Sequence, residues 1–329
     1  MQASRLSCVA GAALVSALAI SMAPASAQQG QWAPGRTVRV VVPFPPGGAS
    51  DILARLLTQH ITSTSGQNIV IENRPGAGTI VGTEQVARST PDGTTLLIMA
   101  NSFVINASLR STLSYDPLTS FEHICFLAQS PHVLVVNGKS ALKTFADFAA
   151  QAKAKPGETT IASVGPATTH HIAIEMLKRA SGLPLTYVSY PGGGQALTNL
   201  IGGHLNAVQA NHIEVKENLG RELRGIAVGG RQRLSDIPDV PTFAELGFPD
   251  VIGLGYFGLV APGGTPKPAI DTIETQLRAA LAVPEISTKL IAAGLLPEGK
   301  TCRAEFTELL KTQHGRYANA IKEAGIKEK

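Results

Sequence analysis

The feature that most constrains this chain is an apolar strand that runs directly into a glycine turn and then into a helix. Residues 38–42 (VRVVV) are followed by 43–51 (PFPPGGASD). Gly47 and Gly48 let a ligand approach the backbone, and the unpaired N–H groups at the start of the next helix favour an anion. The arrangement recurs at residues 160–169 and 187–195. Three such anion-binding turns, in a chain with no recognisable set of catalytic residues, predict a binding protein.

The N-terminus predicts export. Residues 1–27 have a positive Arg5, an apolar run over 9–22 and a small-residue pattern at 25–27, which are the marks of a secretory signal cleaved after Ala27. No later stretch approaches the ~20 apolar residues of a membrane span. We therefore expect the mature protein to be periplasmic.

The charge of the chain and its cysteines indicate which class of ligand and which cysteine redox state are favoured. The formal charge is +4, with Lys and Arg scattered singly, which favours small acidic ligands over nucleic acid. Cys125 and Cys302 remain after signal removal and could form one disulfide in an oxidising compartment. Cys125 lies in a strand-like stretch and Cys302 in a distant loop, so two separate thiols are favoured over a bridge.

Short apolar runs alternate with amphipathic stretches along most of the chain, which is typical of a parallel α/β sheet. The last block, from residue 266, is helical throughout. Predicted strands are 38–42, 68–72, 94–99, 133–136, 160–163, 186–189, 207–210, 225–228 and 256–260. Predicted helices are 52–63, 81–88, 145–154, 170–181, 196–201, 269–282, 284–293 and 303–324.

A mature chain of this length is expected to form two lobes. Lobe 1 is predicted as residues 28–136 plus 256–329, and lobe 2 as residues 137–255. Two crossings, near Asn137 and at 253–255, would make a hinge with a cleft. The three glycine turns would face that cleft from the carboxyl ends of strands, where open α/β sheets bind ligands.

Three motifs point to other functions and fail on context. Residues 294–301 (GLLPEGKT) have Walker A spacing, but Gly294 ends a predicted helix instead of following a strand. His171 and Glu175 are spaced to share a metal, yet no third ligand is nearby. Ile161 breaks a G-x-S-x-G elbow around Ser163. We predict no catalytic residue, cofactor or metal.

The chain resembles the tripartite tricarboxylate transporter substrate-binding receptors, also called the Bordetella uptake gene (Bug) family, over essentially its whole mature length. The resemblance rests on ordered motifs of this sequence: residues 40–51, 72–78 (ENRPGAG), 91–93 (PDG), 115–117 (YDP), 163–165 with 168–170, 190–194 (YPGGG), 234–245 and 261–266 (APGGTP).

The resemblance implies a two-lobed periplasmic-binding-protein fold of the Venus flytrap type, similar to type II. It also implies capture of small carboxylic acids, with one carboxylate held by the first glycine turn and ordered waters. Delivery would be to the subunits of an inner-membrane permease driven by an ion gradient. Many members carry an acidic pair after the strand that here ends in residues 208–212 (VQANH), and this chain is expected to have no acid there. A dicarboxylate or an aromatic carboxylate is therefore favoured over an amino acid.

We expect a non-enzymatic, monomeric receptor whose lobes close on the ligand. A periplasmic sensor that reports to a signalling partner is the alternative, and a secreted enzyme is a further one. Backbone donors are expected from the first turn, hydroxyl and backbone donors from the second, and a pocket wall from the third, with specificity set by two asparagines. The predicted ligand-binding residues are Phe44, Gly47, Gly48, Ala49, Ser50, Asp51, Asn101, Ser163, Gly165, Thr168, Thr169, His170, Tyr190, Gly192, Gly193 and Asn211.

Overall fold

The computed structural model describes residues 32–165 and 167–326, so the predicted signal segment lies outside the described residues. Its strands are β1 (Val38–Val42), β2 (Ile69–Asn73), β3 (Thr95–Ala100), β4 (Phe121–Asn137), β5 (Thr160–Ser163), β6 (Thr186–Ser189), β7 (Ala207–Asn211), β8 (Leu223–Val228), β9 (Leu254–Pro262) and β10 (Leu296–Pro297). Its α-helices are α1 (Ala49–Ser65), α2 (Ile80–Ala87), α3 (Ser102–Leu109), α4 (Phe145–Ala154), α5 (Thr169–Ser181), α6 (Gly193–Ile201), α7 (His212–Val215), α8 (Lys267–Ala282), α9 (Pro284–Ala292) and α10 (Ala304–Ala324).

Helices whose ends carry local signals match their predicted bounds. In α4, the hydroxyl of Thr144 accepts from the Asp147 backbone amide and the Asp147 carboxylate accepts from the Thr144 backbone amide, which fixes the first turn. In α5, the Thr168 hydroxyl caps the start and Gly182 ends the helix in the left-handed region. The helix α3, the short helix α7 and most of β4 were not predicted.

The sheet is mixed, so the expected parallel pairing holds only within two groups of strands. The strand order is β2-β1-β3-β9-β4-β7-β5-β6, with β8 and β10 also paired to β4. β1 pairs in parallel with both β2 and β3, and β5 pairs in parallel with both β6 and β7. β9 and β4 insert antiparallel between these two groups. A long return segment, residues 229–253, makes the antiparallel β9 possible.

β4 connects the two groups of strands. It pairs with β9 as far as Pro131, and from His132 onward it pairs with β7 and β8. The chain passes back at Gly253, whose N–H donates to the Gly229 carbonyl and whose carbonyl accepts from the His132 N–H, and enters β9 at Leu254. Two adjacent strands of the same sheet thus join the halves of the molecule.

Each half has its own apolar core. In the first, α1 packs against the helices α8 and α9, with Leu53 and Leu57 beside Leu277 and Leu290. In the second, Phe148 of α4 packs with Leu134 and neighbouring residues below the β5–β7 group. α10 closes the first half, because Phe306 and Leu310 lie in one cluster with Phe103 of α3. Within the described part of the chain, no helix is long and apolar enough to cross a membrane.

Cys125 and Cys302 form a disulfide, so the expectation of two separate thiols is wrong. The segment after α9 does not loop away from β4 but runs along it, since Phe126 N donates to the Thr301 carbonyl and Arg303 N to the Ile124 carbonyl. This pairing brings Cys302 opposite Cys125. Glu274 lies close to both sulfur atoms. The bonded sulfurs are no longer thiolates, so this cluster is not a metal site.

Candidate ligand-binding site

A cavity of about 430 Å³ lies where four helices begin, between the two halves of the molecule. Its size is within the usual range for sites that hold small molecules. Its lining residues are Phe44, Pro45, Pro46, Gly48, Ala49, Ser50, Ala100, Asn101, Ser102, Val164, Thr168, Thr169, His170, Gly192, Gly193, Gly194, Gln195, Thr198, Asn199, Asn211, Glu214, Gly255 and Phe257.

Besides the four-residue α7, which follows the lining residue Asn211, the helices that begin at the cavity are α1, α3, α5 and α6. The residues immediately before them are Gly48, Asn101, Thr168 and Gly192, and all four line the cavity. Gly48 and Gly192 supply no side chain that caps their helices, so amides of those first turns are open to other acceptors, and one of them, that of Ala49, donates to the Glu214 carboxylate. Four positive dipole ends therefore converge on one space. No Lys or Arg is found among the described lining residues.

Asp51 stabilises the conformation of the first glycine turn. Gly47 has φ of +82°, and its N–H donates to Asp51 Oδ2 at 3.0 Å. Arg55 and Asn73 also bond this carboxylate, at 2.9 and 3.0 Å. Burial raises the pKa of Asp51, but these hydrogen bonds and the Arg55 charge outweigh it and the net shift is downward. Gly47 and Asp51 thus shape the turn without lining the cavity.

The second glycine turn presents two threonines. Ser163 Oγ donates to the Gly165 carbonyl at 3.0 Å and is 2.8 Å from the Tyr187 hydroxyl, so it is used internally. Thr168 and Thr169 line the cavity at the start of α5. Ser163 and Gly165 lie outside the lining.

Two histidines stack at the floor of the site. The rings of His170 and His132 are 3.7 Å apart between centroids and nearly parallel, at 9°. Burial lowers the pKa of His170 to about 3, and burial, with the adjacent His170 ring opposing a second positive charge, lowers the pKa of His132 well below its usual range. Both imidazoles are therefore neutral near pH 7, and His170 can donate or accept a hydrogen bond but adds no charge.

The neighbouring His171 and Glu175 have separate partners. The ring of His171 stacks on Tyr187 at 4.4 Å, while Glu175 bonds the ammonium group of Lys178 at 3.0 Å. Because each side chain is engaged elsewhere, the spacing of these two residues does not create a shared ligand site.

The third glycine turn lines the cavity through its glycines and the helix that follows. Gly192 and Gly193 are lining residues, and so are Gln195, Thr198 and Asn199 of α6, which lie outside the predicted set. The Tyr190 ring packs against the apolar cluster behind β5 and β7 instead of facing the cavity.

Glu214 is the main residue that the sequence interpretation missed, and the expectation of no acid after β7 is wrong. It lies on α7 and lines the cavity. Its Oε2 accepts from the backbone and side-chain amides of Asn211, at 3.0 and 3.1 Å, and the Ala49 amide also donates to the carboxylate. Burial raises the pKa of Glu214, opposed by these three donors. The spacing of Asn211 and Glu214 is a capping box, which was the available sequence signal.

Eleven of the sixteen predicted ligand-binding residues meet at the cavity. Those that do not are Gly47, Asp51, Ser163, Gly165 and Tyr190, which shape or support the turns. Those that do are Phe44, Gly48, Ala49, Ser50, Asn101, Thr168, Thr169, His170, Gly192, Gly193 and Asn211.

Comparison with known proteins assigns this chain to a family. The family model described as tripartite tricarboxylate transporter family receptor matches residues 53–326. Protein BugT of Bordetella pertussis is 32% identical over 297 residues, which cover 89% of this chain and 91% of BugT.

Solved structures agree with the sequence matches. The structure of periplasmic binding protein BugD superposes with a TM-score of 0.85 at 30% identity, covering 90% of this chain and 100% of BugD. R. palustris Rpa4515 with adipate gives a TM-score of 0.85 at 30% identity, covering 89% of this chain and 98% of that structure. The predicted α/β, two-lobed periplasmic-binding-protein fold and the predicted family are confirmed.

Proposed function

Because the chain belongs to the tripartite tricarboxylate transporter receptor family of periplasmic solute-binding proteins, we propose that its cavity captures a small carboxylic acid for an inner-membrane permease. The observation that carries this proposal is the convergence of four helix N-termini on a cavity whose described lining contains no Lys or Arg. Backbone amides at helix starts bind carboxylates without a cationic side chain. The adipate held by the relative Rpa4515 supports the same class of ligand.

The pairing of β4 favours a lobe boundary a few residues earlier than the sequence indicated. We place lobe 1 at residues 32–131 plus 254–326 and lobe 2 at residues 132–253, because β4 changes partners between Pro131 and His132 and the chain returns at Leu254. α1 and α3 then contact the ligand from lobe 1, and α5 and α6 from lobe 2. A ligand that bonds both lobes favours the closed state through contacts absent from the open one.

Export, processing and assembly complete the proposal. Cleavage after Ala27 would release a monomeric receptor into the periplasm, where the closed form is read by the permease subunits. No chemical step is assigned to the site, because the two titratable residues of its described lining, His170 and Glu214, are a neutral stacked imidazole and a carboxylate bonded to three amides. A ligand recovered unchanged after long incubation would support a receptor over an enzyme.

Titration calorimetry with a panel of mono- and dicarboxylates tests the proposal, with wild type compared to Gly48→Val. A side chain on Gly48 would project toward the Glu214 carboxylate, 3.5 Å from Oε1, and crowd the first turn of α1. We expect a loss of about 2 to 3 kcal/mol in binding, comparable to losing hydrogen bonds to a charged group. Gly315→Val, in an open position on α10, is the matched control. Failure of every carboxylate to bind wild type would refute the function.

A further inference from the structure

The carboxylate of Glu214 sits between the starts of two helices, one from each side of the cavity. A Cβ on Gly193, the first residue of α6, would lie 2.7 Å from Glu214 Oε1 and 2.8 Å from Oε2. On the opposite side, the Ala49 amide of α1 donates to the same carboxylate. Glu214 therefore occupies part of the space that a ligand carboxylate would seek at this end of the cavity.

The hydrogen bonds of Glu214 leave room for a ligand. An ionised carboxylate has about four acceptor positions. Three are used, by the backbone amide of Asn211, its side-chain amide and the Ala49 amide. The residue is only partly buried and lines the cavity, so the remaining position is open to a donor on the ligand.

The surroundings of Glu214 do not supply a second acid or a side-chain cation. Among the described lining residues, His170 on α5 is the only other titratable group, and its buried imidazole is neutral near pH 7. Asp51 on α1 forms an ion pair with Arg55. On α7, His212 Nε2 lies 2.9 Å from Asp236 Oδ2, and the same carboxylate pairs with Lys216. α3 and α6 present only neutral residues to the cavity.

We infer that Glu214 sets a donor requirement at the α1–α6 end of the cavity. The ligand group at that end must donate a hydrogen bond to this carboxylate. A hydroxyl or an ammonium group does so directly. An ionised second carboxylate would face a like charge at close range, so it enters only with one proton, taken from solvent and shared between the two carboxyl groups. This inference rests on the proposed capture of carboxylates and specifies the class: a carboxylate with a donor, or a dicarboxylate that binds with one proton.

Calorimetry at pH 7.5, in buffers of different ionisation enthalpy, counts the protons taken up on binding. The probes are matched sets of four and six carbons: succinate, 4-hydroxybutanoate and 4-aminobutanoate, and adipate, 6-hydroxyhexanoate and 6-aminohexanoate. We expect uptake of about one proton with a dicarboxylate and close to none with the hydroxyl and ammonium ligands.

Glu214→Gln keeps the size of the side chain and removes its charge. In this variant, proton uptake with the dicarboxylate should disappear, and binding of the ammonium ligand should weaken about tenfold or more. Glu217→Gln, an exposed position on the following turn, is the matched control and should behave as wild type.

Dicarboxylate binding to wild type without proton uptake overturns the inference while leaving carboxylate capture intact, and this holds even if Glu214→Gln fails to fold. Unchanged uptake in a folded Glu214→Gln variant also overturns it. Absence of binding by all six probes refutes the proposed function and the inference with it.

Discussion

Gly193 and Gly194 offer a paired test of the contact between α6 and Glu214. They are consecutive residues in the first turn of one helix, and neither has a positive φ, so alanine is compatible with the backbone at both. A Cβ on Gly193 would meet the Glu214 carboxyl at 2.7 Å, whereas a Cβ on Gly194 meets nothing within 4 Å. The two substitutions therefore differ in this contact.

The expected difference follows from the hydrogen bonds that the carboxylate must give up. To reach ordinary contact with the new methyl group, the Glu214 carboxyl has to move by most of an ångström, which breaks at least one of its bonds to Asn211 at 3.0 and 3.1 Å. A hydrogen bond to a charged group contributes about 1.5 to 3 kcal/mol. The gain of up to about 1 kcal/mol from replacing glycine by alanine in a helix applies to both variants and cancels in the comparison.

Urea unfolding of the two variants, followed by far-UV circular dichroism, measures the difference. Gly193→Ala should be less stable than Gly194→Ala by about 1.5 to 3 kcal/mol. Adding Glu214→Gln to each variant should reduce this difference in the free energy of unfolding, because the side chain no longer accepts hydrogen bonds as a charged group. Equal stability of the two single variants, or a lower stability for Gly194→Ala, would refute the placement of Glu214 against α6.

Three further predictions concern other parts of the molecule. Burial lowers the pKa of His170 to about 3 from an ordinary value of 6.5, so its contribution to stability should be complete above pH 6.5 and fall as the pH drops below it. Between pH 6.5 and 5, the free energy of unfolding from urea titrations should fall less steeply for His170→Gln than for wild type, by up to about 1.4 kcal/mol per pH unit, and parallel pH dependences would contradict this. Reducing the Cys125–Cys302 bridge, which closes 177 residues, should cost about 2 to 5 kcal/mol, and an unchanged urea midpoint in reductant would count against it. Lys300→Ala, at an exposed position beside β4, should change stability by no more than ~0.5 kcal/mol and leave calorimetric titrations unchanged, whereas Mg-ATP binding that the substitution abolishes would reveal a nucleotide site.

The elements that could be predicted are those with signals inside their own segment. α4 and α5 carry caps and end residues, and β5 and β6 are short apolar runs bounded by turn residues. These signals are local, so they do not depend on where the segment packs. The starts of α1, α5 and α6 at the cavity belong to this class, whereas the start of α3 was not predicted, and eleven of the sixteen predicted residues line the cavity.

The elements that could not be predicted depend on distant partners. β4 continues through Pro131 because β9 pairs with it on one side of that residue and β7 with it on the other. The disulfide depends on residues 298–303 lying along β4, a contact between segments far apart in the chain. Spacing in the sequence carries no information about such contacts.

Glu214 is a different case, because its signal was present but short. A four-residue helix has no hydrophobic periodicity, so only the capping relation of Asn211 and Glu214 marks it. The direction of the acid toward α6 then follows from the missing side chain of Gly193, which leaves space for the carboxylate.

On the proposed function, helix N-termini, and no cationic side chain, hold the ligand carboxylate. A crystal structure of the protein with the tightest-binding carboxylate of the panel tests this directly. We predict carboxylate oxygens within about 2.7 to 3.2 Å of backbone amides in the first turns of at least two of α1, α3, α5 and α6, with at least one from each lobe. A carboxylate bound elsewhere, or one held in the cavity by a Lys or Arg side chain, would contradict the account.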